Sequence, residues 1–216
     1  TIQGYALNWI LALTAGLGAA GVYAALWSVV QLASPFVQGA GNAMTPLLAQ
    51  RLAQDGRARL ATATGKVTRL AALAVALYLA AICVAGPAVT LAIYGADYAG
   101  TQRTLVLLAS AVGAGALAHL AAKVISVLES PHINFGLNLA GLVMTVVFAG
   151  FLGHAFGLDG AAAGLLLAAV LGAVAKWGCY AYVMRRPPQA EPRYGREIDT
   201  AAPASGIALD SELERR

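Results

Sequence analysis

The chain has 216 residues, of which 59% are hydrophobic and 11% charged, with a net charge of +4 and a mean hydropathy of +0.71. A soluble domain carries roughly twice that share of charge, so the composition excludes an ordinary water-soluble fold. The apolar residues come in blocks, and a block of about 20 spans the hydrocarbon core of a bilayer. The fold class expected is an all-α polytopic membrane protein. The basic residues flank the blocks, where membrane topology places them, so the charge points to the lipid bilayer as partner and not to nucleic acid.

Six spans are expected in chain order. The chain begins on Thr1 without a Met or a signal peptide. A short first span, about residues 2–17, ends in the turn GLGAAG, and the pattern reads as a piece of a longer protein. The second span covers about 22–48. The basic segment that follows, about 50–69, is either a short helix on the membrane surface or a solvated linker. The third span covers about 70–93 with Pro87 as a kink, and YGADYAGTQR at 94–103 is a tight turn. The fourth covers about 104–128 and stops at ESPH, because Pro131 disfavours helix at the residue before it. The fifth covers about 133–152, HAFGLDG turns the chain, and the sixth covers about 161–184. Residues 1–186 thus form a six-span bundle, and 187–216, rich in Pro, Ala and charge, are expected to be a disordered cytoplasmic tail.

The loops set the orientation. Arg51, Arg57, Arg59, Lys66 and Arg69 lie between spans two and three, and Arg185, Arg186, Arg193 and Arg196 follow span six. The positive-inside rule puts both segments, and the C-terminus, in the cytoplasm. Alternation through six helices satisfies both.

Span two carries Gln31, Ser34, Gln38, Asn42 and Thr45. At about 100° per residue these polar groups, with Trp27, fall on one face about 80° wide. Two explanations compete: hydrogen bonds to neighbouring helices at ~0.6 kcal/mol each, or the lining of a water-filled cavity. Pro35 adds a backbone carbonyl that water or a neighbour must satisfy. Span five repeats the pattern with Asn134, Asn138 and Thr145, and span four places His119, Lys123 and Ser126 on one face. Lys123 is either a snorkelling lysine or a cavity group, and His119 is either a bonded core histidine or a group that meets substrate. Lys176 has the same ambiguity, with Trp177, Tyr180 and Tyr182 favouring an interfacial anchor.

No catalytic constellation is present: no Ser–His–Asp set, no HExxH, no P-loop and no paired intramembrane carboxylates. Cys83 and Cys179 sit singly inside apolar blocks, without metal-ligand spacing or a disulfide framework. No enzyme activity, metal or cofactor is expected. Movement of something across the membrane is the better expectation.

Three stretches, GVYAA at 21–25, YGADY at 94–98 and FGLDGAAAG at 156–164, carry a family likeness in their order and spacing. With the six spans they resemble the C-terminal half of a bacterial polysaccharide or oligosaccharide-lipid flippase, of the multidrug/oligosaccharidyl-lipid/polysaccharide exporter superfamily. The resemblance implies two six-helix bundles around a cavity, and export of a lipid-linked sugar by alternating access in the cytoplasmic membrane. The partners implied are the lipid-linked sugar and an N-terminal six-helix half. Gln31, Ser34, Gln38, Asn42, His119, Lys123, Asn134 and Asn138 would then line the substrate pathway. Two other readings stay open: a cation-coupled multidrug exporter of the same superfamily, which wants an intramembrane carboxylate, and a non-transporting membrane scaffold, whose polar faces would be packed.

Overall fold

The computed structural model describes residues 2–14, 16–98, 100–127 and 131–185. The predicted tail at 187–216 and the break at ESPH lie largely outside the described residues. Among the described residues the chain is all-helical: α1 (Ile2–Thr14), α2 (Gly16–Val30), α3 (Ser34–Tyr94), α4 (Gln102–Val127) and α5 (Pro131–Arg185). Single 3-10 turns at Gln31–Ala33 and Ala96–Tyr98 join α2 to α3 and lead towards α4. Gly157 (φ 64°, ψ −141°) breaks α5 into two segments, a conformation that a residue with a Cβ resists. Among the described residues three helices, Arg59–Tyr94, Gln102–Ser126 and Ile133–Arg185, are long and apolar enough to cross a membrane.

The long α3 folds back on itself. A straight helix from Ser34 to Tyr78 would extend about 66 Å. Yet the Tyr78 hydroxyl donates to the Val30 carbonyl at 2.8 Å. Gly41 lies beside His119 and Lys123, whereas Val75 meets Gly113 and Gly86 meets Leu105. The start of α3 therefore runs alongside α4 in the same direction, and the part from Arg59 onward returns antiparallel to it. Leu48 and Leu60 close against Val124 where the chain reverses.

That reversal decides the reading of 50–69. The segment is helical throughout, and Leu60 within it is completely buried, so a solvated linker does not describe it. The first turn also differs from expectation. The glycines of GLGAAG lie within α2, which starts at Gly16, because one residue at φ 89° is enough to turn the chain. The turn at 94–103 is as expected, with Gly95 and Gly100 both at positive φ.

Pro35 explains the 3-10 turn. Its missing N–H deprives Gln31 of the helical partner for its carbonyl. The Ser34 N–H serves that carbonyl instead, three residues on. The Tyr78 hydroxyl, from the returning limb of α3, also donates to the carbonyl of Val30, the residue just before this turn.

The core sits toward the end of the bundle that carries Gly157. There Leu7, Leu11, Tyr23, Leu26, Leu105, Leu108, Ala149 and Ala161 form one buried cluster. Small residues allow close approach: a Cβ on Gly164 would stand 2.6 Å from backbone atoms of Phe148 and Ala149. The Thr104 hydroxyl, buried near the start of α4, donates to the Asp159 carboxylate just beyond the Gly157 break. Leu73, Leu77, Val84, Val143, Phe151 and Val174 instead face outward, an apolar exterior that suits lipid and not water.

Candidate functional site

At the other end the helices part around a cleft of about 880 Å³. Its walls come from the end of α2 and the start of α3, from α4, and from both segments of α5. On α4 it extends from Ala111 to Lys123, about 18 Å along the helix.

The polar file of span two lies along this cleft. Trp27, Gln31, Ser34, Gln38 and Asn42 all line it. The Gln38 amide donates to the Ser34 hydroxyl at 2.9 Å, one turn away. Thr45, the last of the predicted file, turns its hydroxyl back to the Gly41 carbonyl at 2.9 Å and does not line the cleft. A 3-10 turn passes through the file at Gln31–Ala33 without scattering it.

From α4 come His119 and Lys123, both half-buried, packed beside Gly41. The Lys123 ammonium donates to the Asn42 carbonyl oxygen Oδ1 at 3.1 Å, a bond that ties α4 to α3.

From α5 come Asn138, Gly141 and Thr145 before the Gly157 break, and Leu165, Ala168, Gly172 and Lys176 after it. The Lys176 ammonium donates to Asn138 Oδ1 at 2.8 Å. Asn134 is not among the lining residues. Its amide donates to the Ser126 hydroxyl at 3.3 Å, beside the cleft's end, while its Oδ1 is buried without a partner.

Seven of the eight predicted pathway residues are thus brought to one cleft: Gln31, Ser34, Gln38, Asn42, His119, Lys123 and Asn138. Lys176, which its aromatic neighbours left between interfacial anchor and cavity group, joins them in the cleft. A signal for it existed: Ala168, Gly172 and Lys176 recur every four residues, so Lys176 shares the face that carries these small residues to the cleft. Trp177 and Tyr180, which pointed to the interface, pack edge to face at 5.5 Å.

The electrostatics of the cleft have one sign. Lys123 and Lys176 carry the charge, the His119 imidazole stands within reach of both ammoniums, and no Asp or Glu is among the described residues that line the cleft. Such a surface attracts anions and offers amides and a hydroxyl to neutral polar groups. It lacks a nucleophile–base pair, and among the described residues no three His, Cys, Asp or Glu side chains gather as a metal site would require.

Compared with known protein families, curated proteins and solved structures, the chain finds no significant match.

Proposed function

We propose that the chain is a six-helix transmembrane bundle forming one wall of a transporter. It moves a lipid-linked oligosaccharide or polysaccharide precursor across the bacterial cytoplasmic membrane by alternating access, with the C-terminus in the cytoplasm. A second six-helix bundle supplies the facing wall. The observation that carries this reading is the single cleft in which a file of amides and two lysines meet, on a bundle whose exterior is apolar. The amides suit the hydroxyls of a sugar, and the ammoniums suit the phosphates that join it to its lipid. The lipid tail stays in the bilayer.

The other readings fit less well. A cation-coupled drug exporter wants a carboxylate in the cleft, where the described residues supply lysines. A membrane scaffold wants its polar faces packed, whereas Gln38 and Asn42 are exposed along the cleft.

The test is Lys123→Gln in the transporter assembled with its partner bundle, at matched protein levels. Export of the lipid-linked sugar should fall, and Lys123→Arg should keep more of it, although the two cations differ in geometry. Equal transport by the wild type and Lys123→Gln would remove the ammonium from the pathway. Gln38→Cys, treated with a membrane-impermeant thiol reagent, should be labelled if the file meets water and silent if it is packed.

A further inference from the structure

The two lysines of the cleft share an unusual choice of partner. An ammonium held at membrane depth needs acceptors, and the common one is a carboxylate, which also cancels its charge. Here both acceptors are asparagine carbonyl oxygens, Asn42 for Lys123 and Asn138 for Lys176. The two bonds lie in different seams: the first joins α3 to α4, the second joins the two segments of α5. An amide satisfies one of the three N–H donors of a lysine and leaves the charge, with two donors, unspent.

We infer that Asn42 and Asn138 are positioning residues of a two-lysine diphosphate site, each holding an ammonium in the cleft without neutralising it. The inference rests on the reading of the cleft as a path for a phosphate-linked substrate. An arriving diphosphate is met by two cations drawn from separate seams, and each ammonium can turn from its amide to a phosphate oxygen. The repulsion between two uncompensated cations falls when the anion enters, which favours diphosphate over a single weak anion. Aspartate at either position would keep the shape and the hydrogen bond but would supply the anion itself.

The test uses the full chain in nanodiscs of neutral phosphatidylcholine. The probes are farnesyl diphosphate, which carries a prenyl tail, and inorganic pyrophosphate, which does not. The wild type should bind farnesyl diphosphate. Asn42→Asp and Asn138→Asp should each weaken binding by about tenfold or more, the scale of one lost charge-assisted hydrogen bond. Their unfolding midpoints should stay level or rise, because a carboxylate beside an ammonium strengthens the seam. Asn42→Gln, still a neutral amide, should bind better than Asn42→Asp. Tighter binding of the prenyl probe upholds a lipid-linked diphosphate, and equal binding of both probes upholds the same site for a soluble one. Aspartate variants that bind like the wild type overturn the role of the amides alone. A loss that comes with a lowered midpoint, or an Asn42→Gln variant as poor as Asn42→Asp, also overturns it, because the amides then act only in packing. If the wild type binds neither probe, the reading of the cleft as a phosphate path falls with the inference.

Discussion

Replacing Gly164 by alanine should loosen the joint on which the cleft depends. The glycine lies where the two segments of α5 pass each other. An added Cβ would stand 2.6 Å from the Ala149 N and Cα and the Phe148 carbonyl carbon, whereas ordinary contact begins at 3.4 Å. All three atoms are backbone, so no side-chain rotation relieves the clash. The segments would have to separate by about 0.8 Å, in a region where Ala149 and Ala161 are completely buried and close-packed. Overpacking of this kind costs about 1–3 kcal/mol. The control is Gly178→Ala on the same helix, where a Cβ would meet nothing within 4 Å. Both changes gain the same helix propensity, about 1 kcal/mol in water, so the difference between them isolates the contact. Gly164→Ala should therefore be about 1–3 kcal/mol less stable than Gly178→Ala when unfolding is followed by circular dichroism in detergent. Equal midpoints for the two variants would mean that the segments do not touch there, and the placement of Lys176 beside Asn138 would lose its support.

Two further substitutions probe the bundle away from the cleft. Thr104→Val removes the hydroxyl that Asp159 accepts from and leaves that carboxylate without it. It should cost about 1–3 kcal/mol in the same unfolding assay, and Thr104→Ser should restore most of the loss. Tyr78→Phe removes the hydroxyl that donates to the Val30 carbonyl next to the Pro35 step, and should cost about 0.5–1.5 kcal/mol. If Pro35→Ala, which lets the helix close its own ladder, does not reduce the effect of Tyr78→Phe in a double-mutant cycle, the link between the proline and the tyrosine is wrong.

Much of this protein is legible from its residues alone. The apolar blocks declare helices of membrane length, because the period and the run of hydrophobic side chains are local properties. The polar face of span two is equally local: a helix repeats every 3.6 residues, so Gln31, Gln38 and Asn42 share a side whatever they face. His119 and Lys123 share a side for the same reason. The turn at 94–103 follows from Gly95 and Gly100, which take positive φ at no steric cost.

What the faces look upon is a tertiary matter. No local rule says that the start of α3 lies against α4, so Asn42 and Lys123, 81 residues apart, become partners only when the bundle closes. Which residue of 50–69 turns inward is likewise a tertiary matter: Leu60 is buried in a cluster with Leu48 and Val124. Pro35 announced an orphan carbonyl, but only the folded chain shows that the Ser34 N–H serves it and that Tyr78 returns to the Val30 carbonyl beside it. Lys176 shows the limit most clearly. Its aromatic neighbours Trp177 and Tyr180 suggested an interface, and the sequence could not weigh them against a stripe of small residues. The reversal at Gly157, with Gly164 pressed on Ala149, sets the rotation of that helix and brings the ammonium to Asn138. A helix's own period determines which residues travel together, and only its neighbours determine which way they point.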